Sequence, residues 1–357
     1  MPADLVPILL PFAGLLAGTV LGFVARRNFF CTLSALEQYW YADNATGVRS
    51  WMLAAVVAAA GVWIASGLGW VTPSSSFYLM PQFSLLSAVV GGLLFGIGMA
   101  LVGTCGFGAL VRLGGGSLKS LMAILVLGIV ALSTMRGILG IGRENLLDPW
   151  ALDFSFAGSQ SIPDIAAAFA GPAAAPVATA LAIGIPAAWI FSDASFRTDR
   201  RAIATGAIVG LVIVFGWLAT TYLSARSFYP FQIEAGSFVA PVGDTILQMI
   251  AFTGAGPDYG VGMVVGVVLG AAIAATLDDN VRWEASDDAR ELKRHITGAA
   301  LMGFGGVLAF GCTIGQGISA ASMLAISAPF SVASIIIGAR IGLAWLLEGS
   351  IASAFRR

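Results

Sequence analysis

Two apolar stretches of this chain resemble each other at a distance of about 207 positions, and this duplication limits the available folds more than any other feature. Residues 96–108 and 303–315 are both rich in glycine, and each contains one cysteine near its C-terminal end, Cys105 or Cys312. A repeated half-chain unit in an apolar sequence is typical of transporters and channels that are built from two related halves.

The low charge of the chain indicates a membrane protein. Of the 357 residues, 58% are hydrophobic and 10% are charged, whereas a soluble protein carries roughly a quarter charged residues. So few charges leave too little polar surface to cover a globule in water, and we expect a polytopic protein that is embedded in the lipid bilayer. The formal net charge of −1 gives no indication of a nucleic-acid partner.

The apolar runs predict an all-α integral membrane protein with about nine transmembrane helices, since a spanning helix needs about 20 mostly apolar residues. The predicted spans are about residues 5–24, 51–70, 83–102, 118–135, 166–191, 202–222, 259–277, 299–311 and 330–347. About four segments that are too short to span are predicted to be re-entrant or intruding pieces. They lie at about residues 28–36, 106–113, 245–252 and 313–319.

The order of the spans predicts two inverted, pseudo-symmetric halves within one membrane domain. The first half covers about residues 5–138, a linking helix about 165–191, and the second half about 202–347. Equivalent points in the halves are separated by an odd number of predicted spans. The second half therefore has the opposite orientation in the membrane, as in many secondary carriers, and equivalent points meet near the midplane.

The third apolar segment is predicted to break near Cys105. Only residues 106–113 follow before the triplet 114–116 of glycines, which is room for about two helical turns. Irregular backbone at membrane depth is tolerated only where it is buried in protein or lines a cavity. The break is therefore a candidate part of a substrate path.

The three cysteines, Cys31, Cys105 and Cys312, are the candidate site. Their odd number and the lack of a C-x-x-C pattern argue against disulfides and a redox dithiol, and the single histidine, His295, leaves little material for a metal or haem site. No metal and no cofactor are expected. One cysteine alone is more often a small buried hydrophobe, but the equivalence of Cys105 and Cys312 favours a function for both, and Cys31 supplies a third thiol.

Neutral thiols suit a sulfur-containing anion or a soft metal better than Na⁺, because they are weak hydrogen-bond donors and acceptors. The N-terminal end of a short helix is partly positive and would add affinity for an anion. The residues expected at such helix starts, or as neutral donors beside the cysteines, are Gly106, Gly108, Thr313, Gly315 and Gln316.

Two arginines in or beside apolar segments are candidate anion-attracting residues, since charges within spans are costly and default to a functional role. Arg112 follows Cys105 by seven residues; it either attracts anions at an inner mouth of the path or anchors its helix at the membrane interface. Arg340 lies in the last span; it either attracts anions or pairs with Glu348, which falls on about the same helix face.

The segment around Cys31 and the glycine–cysteine runs 98–108 and 305–317 also carry a family resemblance. On these motifs the chain resembles the YeeE/YedE family of sulfur-transport membrane proteins, and the similar layout covers most of the chain. The resemblance implies an hourglass-shaped protein that takes up thiosulfate across the cell inner membrane. It also implies that thiosulfate passes between Cys31, Cys105 and Cys312 at the centre through S–H···S hydrogen bonds.

A soluble partner and an orientation are further expectations. Some members of the family work with a small TusA-like sulfurtransferase, and the charged loop at residues 278–295 is where a separate one would dock. Basic loops are cytoplasmic by the positive-inside rule. This places the N-terminus outside and the C-terminal Arg356 and Arg357 in the cytoplasm.

We therefore expect a permease for thiosulfate or a related sulfur oxyanion, and not an enzyme. The sequence lacks a P-loop motif, so direct ATP drive is not expected. One alternative is an intramembrane sulfurtransferase that forms a persulfide on a cysteine. Others are a channel or transporter for another sulfur or selenium compound, and a channel for a different solute in which the cysteines only pack.

Overall fold

The computed structural model of the protein describes residues 5–227, 231–251, 256–285, 288–350 and 354. In chain order, the helices are α1 (Val6–Asn28), α2 (Thr32–Tyr41), α3 (Thr46–Gly67), α4 (Leu85–Val102), α5 (Gly106–Gly114), α6 (Leu118–Arg136), α7 (Ile138–Leu146), α8 (Ile162–Ala170), α9 (Ala174–Phe191), α10 (Ala194–Thr198), α11 (Arg200–Ser224), α12 (Ala240–Ile250), α13 (Tyr259–Leu277), α14 (Ala289–Leu308) and α15 (Ser327–Glu348). Two short strands, β1 (Gln82–Ser84) and β2 (Ala151–Asp153), pair antiparallel. A π-helical turn, Gly315–Ala320, lies between α14 and α15.

Eight helical segments of the described residues are long and apolar enough to cross a membrane. They are Val6–Tyr41, Thr46–Gly67, Leu85–Gly114, Leu118–Arg136, Ala174–Phe191, Arg200–Ser224, Tyr259–Leu277 and Ser327–Glu348. The prediction of an all-α, multi-pass membrane protein is thereby confirmed. Most of the span predicted at 299–311 falls on α14. The first two turns of α14 carry several charged side chains, and for this reason α14 is not among the eight segments. The total of nine spans stays a prediction.

Short helices occur where the sequence predicts intruding segments. Helix α2 follows Cys31, α5 follows Cys105, α12 covers most of the segment predicted at 245–252, and helical residues follow Cys312. Residue 252 itself lies outside the described residues. Whether these pieces are re-entrant in a bilayer stays a prediction.

Serine and aspartate side chains define the starts of several long helices. Ser84 accepts a hydrogen bond from the amide of Ser87 at the start of α4, and Asp199 accepts one from Ala202 at the start of α11. Asp258 does the same for α13. These short polar side chains satisfy backbone N–H groups that have no partner within the helix, so the sequence specifies where each apolar run begins to coil.

Helices α1 and α13 run in the same direction and pack closely along most of their length. Glycines repeat every four residues on the two facing surfaces: Gly14, Gly18 and Gly22 on α1, and Gly262, Gly266 and Gly270 on α13. A Cβ atom at any of the six would overlap backbone atoms of the other helix. Small residues let helix backbones approach closely in lipid, where no hydrophobic drive between helices exists.

Helix α4 lies at the centre of the fold between α14 and α15. It runs antiparallel to α14, with Gly91 against Gly305 and Gly98 against Gly298, and parallel to α15, with Gly96 against Ile335. Because α4 and α14 are antiparallel, the segments that follow them begin at opposite ends of this packed pair. Both candidate cysteines of the repeat lie on those segments.

The segment predicted as one linking helix at 165–191 is divided between α8 and α9, and its role as a link between two halves stays a prediction. Gly171 separates the two helices, with a positive φ of 88°. Only 6% of the residues of the apolar helix α9 are buried inside the protein. This helix therefore presents most of its surface to the surroundings, which suits contact with lipid.

Candidate functional site

The chain breaks immediately before Cys105, as the sequence predicts. Helix α4 ends at Val102, the next residue, Gly103, adopts a left-handed conformation with φ 77°, and α5 begins after Cys105. The Cys105 sulfur accepts a hydrogen bond from the amide of Gly108 at 3.4 Å, and its carbonyl accepts one from Ala109 at 2.9 Å. Cys105 is therefore the N-cap of α5, with its sulfur at the partly positive end of that helix.

Cys312 has the same local geometry in the second half of the chain. Its sulfur accepts a hydrogen bond from the amide of Gly315 at 3.4 Å, and its carbonyl accepts one from Gln316 at 2.8 Å. The helical turn that follows is π-helical from Gly315 onward. The duplicated motif thus builds the same cap twice, and both sulfur atoms are fully buried.

Cys31 also begins a short helix, α2, and it joins the Cys105 site. Its backbone is extended, and its carbonyl accepts a hydrogen bond from Ala35 at 3.0 Å. The Cys31 sulfur lies 3.8 Å from the hydroxyl oxygen of Thr104 and beside the Cys105 thiol. A Cβ atom at Gly108 would lie 3.6 Å from the Cys31 sulfur. The same Cβ atom would overlap the Thr104 hydroxyl oxygen, so the absence of a side chain at Gly108 lets that hydroxyl lie against the start of α5.

Phe238 connects the two cysteine caps. Its backbone contacts the Cys312 thiol, and its carbonyl oxygen would lie 3.3 Å from a Cβ atom at Gly106. Its ring packs on that of Phe107 with centroids 5.0 Å apart. Cys105 and Cys312 are near enough to interact electrostatically. The duplicated segments thus bring both cysteines into one buried region.

Sequence reasoning missed Phe238, although the repeat contained a signal for it. A shift of about 207 positions carries Cys31 onto Phe238, just before α12. Thr104 was missed as well; its only signal is that it directly precedes Cys105.

The polar residues beside Cys312 differ in what they offer. The Gln316 amide nitrogen donates to the carbonyl of Phe310 at 3.2 Å, and Ser327 donates to the Gln316 side-chain oxygen at 3.5 Å. Gln316 is therefore held by the protein in this conformation. The buried hydroxyl of Thr313 has no hydrogen-bond partner among the described residues, and it lines an apolar cavity beside Trp51.

Two cavities of similar size lie on either side of the cysteine region. The first, here termed the basic cavity, has a volume of about 520 Å³ and is lined by Gly103, Lys119 and several arginines. The second cavity has a volume of about 540 Å³ and is lined by Gly311 and Arg136. Because Lys119 and Arg136 are at opposite ends of α6, the cavities open toward opposite ends of the helices. Cys105 adjoins the first cavity through Gly103, and Cys312 adjoins the second through Gly311.

The two candidate arginines have different surroundings. Arg112 lines the basic cavity and donates to the carbonyl oxygen of Gly103 at 2.8 Å. Arg340 pairs with Glu348 at 3.3 Å and donates to the Tyr41 hydroxyl at 2.6 Å. The predicted Arg340–Glu348 pair is therefore present. A role of either arginine in attracting anions stays a prediction.

The second cavity is lined by a half-buried carboxyl group, that of Glu234, which sequence reasoning missed. Burial raises the pKa of Glu234 to about 8, with a further contribution from the nearby carboxylate of Asp258. An oxygen of the Glu234 side chain accepts a hydrogen bond from the amide of Gly260 at 3.1 Å. In the part of the chain that the structure describes, no group of three or more His, Cys, Asp or Glu side chains could hold a metal ion.

Comparison with known proteins gives a family match over most of the chain. Residues 27–341 match the family described as "Sulphur transport". The chain is 25% identical over 347 residues to the "Thiosulfate transporter TsuA" of Escherichia coli (strain K12), covering 91% of this chain and 92% of that protein. It is 26% identical over 351 residues to the "Thiosulfate transporter TsuA" of Spirochaeta thermophila, covering 94% and 98%. These matches confirm the resemblance carried by the cysteine motifs and agree with a transporter, not an enzyme.

Proposed function

This chain belongs to the sulphur transport family, and we propose that it is a permease that takes up thiosulfate across the cell inner membrane. The observation that carries the proposal is the pair of identical cysteine caps between two cavities that open toward opposite ends of the fold. Two relatives that align with more than nine-tenths of this chain are named thiosulfate transporters.

The proposed path runs through Cys312, Cys105 and Cys31 between the second cavity and the basic cavity. Each thiol can donate one weak S–H hydrogen bond to a sulfur or oxygen atom of the anion. The helix starts at Gly106 and Thr313 add a partly positive helix end beside each thiol. The amides of Gly108 and Gly315 hold the two cysteine sulfurs at those ends. We propose that Gln316 helps to hold the segment after Cys312 in place, since its amide bonds Phe310.

Weak binding at several sites in series suits passage better than storage, because a conducting path must release what it binds. A neutral thiol binds an anion weakly, and three thiols offer successive positions. No thiolate and no covalent intermediate are required. The anion is passed on by exchanging one S–H···S contact for the next.

Packing between equivalent helices supports two inverted halves, at about residues 5–138 and 202–347. Helices α4 and α14 occupy equivalent positions in the repeat and run antiparallel, as inversion requires. The same correspondence pairs α1 with α11 and α3 with α13. Helix α1 packs on α13, and α11 packs on α3. The two α8–α9 helices then form the link between the halves, and the cysteines lie near the waist of an hourglass.

The proposed orientation has the N-terminus outside and the basic cavity toward the cytoplasm, because the loops around that cavity are rich in arginine and lysine. Arg356 and Arg357 lie outside the described residues. The charged loop at 278–295, of which residues 286 and 287 also lie outside the described set, remains the proposed docking place for a separate TusA-like sulfurtransferase.

Growth on thiosulfate as sole sulfur source tests the proposed function, in a host that lacks its own thiosulfate uptake. The wild-type chain should restore growth, and the Cys312→Ala variant should not, at equal amounts of protein in the membrane. An expressed, folded wild-type chain that fails to restore growth would overturn the proposal of thiosulfate as substrate.

A further inference from the structure

The basic cavity concentrates positive charge in a space of small-molecule size. Five cationic side chains and one histidine line it, against two carboxylates: Arg26, Arg112, Lys119, Arg282, Arg294 and His295, and Glu284 and Glu291. Its volume of about 520 Å³ falls within the range of about 300–1,000 Å³ typical of ligand sites. Like charges gathered around one space repel one another, and a bound anion relieves that repulsion.

Backbone hydrogen bonds join two loops that line this cavity, one after α5 and one after α13. The amide of Arg282 donates to the carbonyl of Gly115 at 3.0 Å, and the amide of Leu118 donates to the carbonyl of Glu284 at 2.8 Å. A Cβ atom at Gly115 would lie 2.6 Å from the guanidinium carbon of Arg26. The glycine therefore lets the Arg26 charge lie directly against the wall of the cavity.

Several donors in the cavity are not used by carboxylates. Arg26 donates to the carbonyl of Asn280 at 2.9 Å, and Arg112 donates to that of Gly103 at 2.8 Å. Each guanidinium carries five N–H donors, so most remain for a ligand. Lys119 is the cation that bonds Glu291, at 3.0 Å.

His295 gives a second, independent indication of a ligand. Its side chain is 10% exposed, and its Nδ1 atom is buried without a hydrogen-bond partner in the described part of the chain. Its Nε2 atom lies 3.9 Å from Glu291. A buried polar atom without a partner is costly, so an acceptor or donor that enters the cavity is favoured at this position.

We propose that the basic cavity is a second binding site, for a small doubly charged oxyanion, that fills independently of the three thiols. Thiosulfate, sulfate and hydrogen phosphate share this chemistry. The identification of the transported species as one of its ligands rests on the function proposed above. Gly103 joins the cavity to Cys105, so an anion that leaves the thiols would next meet Arg112.

Direct binding to a chain without thiols tests this site. The purified full-length Cys31→Ser/Cys105→Ser/Cys312→Ser variant should bind labelled thiosulfate at low ionic strength, and unlabelled sulfate and phosphate should compete while chloride at equal ionic strength should compete less. Adding Arg294→Gln or Arg112→Gln should weaken binding by about tenfold. Arg226→Gln is the matched control, because Arg226 stacks on Tyr222 outside both cavities.

The outcomes separate this inference from the proposed function. Loss of binding in the triple-serine variant, while the wild-type chain transports thiosulfate, would overturn the second site alone. Equal weakening by Arg226→Gln would also overturn it, since binding would then follow net charge only. Binding retained in a wild-type chain that fails to transport would support the second site and overturn the permease.

The pH dependence of binding tests the part played by His295. Burial, and next the charge of Arg294, lowers the pKa of His295, while Glu291 raises it and Lys119 and Arg112 lower it further. A bound dianion favours the protonated imidazole, so binding should tighten as the pH falls from about 8 to about 6. His295→Gln should flatten this dependence. An unchanged slope in that variant would remove His295 from the site.

Discussion

The sulfur of Cys31 lies 3.8 Å from the hydroxyl oxygen of Thr104, although 73 positions separate the two residues in the chain. This contact brings the start of α2 against the break between α4 and α5. It also sets the Cys31 thiol beside that of Cys105. The Cys31 thiol at this end of the proposed path therefore has two side-chain neighbours, the Cys105 thiol and the Thr104 hydroxyl.

Replacing Thr104 by valine should slow thiosulfate uptake several-fold without loss of folded protein. Valine keeps the shape of threonine but removes the hydroxyl, whose hydrogen bond contributes about 1 kcal/mol and so about a fivefold change. The Cys31 thiol then loses its orienting partner. Initial rates of uptake into cells, normalised to protein in the membrane, measure the effect. Thr104→Ser keeps the hydroxyl and should stay near the wild-type rate; equal rates in both variants would contradict the prediction.

Serine at the two repeat cysteines should separate capping from sulfur chemistry. Serine is a better N-cap than most residues, so Cys105→Ser and Cys312→Ser should retain the cap hydrogen bonds from the amides of Gly108 and Gly315. Their melting temperatures should stay close to that of the wild type. The rate of thiosulfate uptake should nevertheless fall below a tenth of the wild-type rate. A tenfold change corresponds to a loss of about 1.4 kcal/mol in the interaction of the anion with the thiol.

The measurement is thermal stability and uptake on the same preparations. A stable serine variant that transports at the wild-type rate would show that the cysteines only cap helices. A variant that fails to fold would contradict the prediction that serine can replace cysteine as the cap of these helices.

A glycine in the α1–α13 contact should be far less replaceable than one on α9. Gly18→Ala forces a methyl group against the backbone of Met263 and should destabilise the protein by about 1–3 kcal/mol. Gly184→Ala is the matched control, because nothing lies within 4 Å of its Cβ position, and alanine favours a helix over glycine by up to about 1 kcal/mol. Melting of detergent-solubilised protein measures both. Equal melting temperatures would contradict the predicted close approach.

Much of this architecture could be predicted from the sequence because local chemistry determines it. The break at Cys105 follows from an apolar run too short to continue and from glycines that permit a left-handed turn. The equal caps at Cys105 and Cys312 follow from the repeat. The contact of Cys31 with Thr104 could not be predicted, since it depends on how α2 packs in three dimensions.

The spatial neighbours of charged residues were harder to predict than those of the cysteines. Arg340 could be predicted to pair with Glu348, because both lie on one helix face. Arg26, Lys119 and Arg282 line the basic cavity but lie in three distant segments of the chain. No local sequence pattern predicts that they lie close together. Glu234 lies in a segment whose burial depends on the surrounding helices, which a sequence of one chain does not reveal.

Replacing Glu234 by glutamine should stabilise the protein increasingly as the pH rises. Burial, with Asp258 next, raises the pKa of Glu234 to about 8, from about 4.3 in an unfolded chain. Between these values the folded state binds more protons than the unfolded state, so the stability contributed by this group falls as the pH rises and is lost above about pH 8. Glutamine does not titrate and keeps an oxygen for the amide of Gly260.

The difference in melting temperature between Glu234→Gln and wild type, followed from about pH 5 to about pH 9, measures this effect, because other titrating groups cancel in the comparison. The difference should grow with pH. Asp153→Asn supplies the control: Ser155 lowers the pKa of the exposed Asp153 carboxyl, which is therefore ionised throughout the range. Its difference from wild type should be constant. A constant difference for Glu234→Gln as well would mean that Glu234 is ionised in the folded protein.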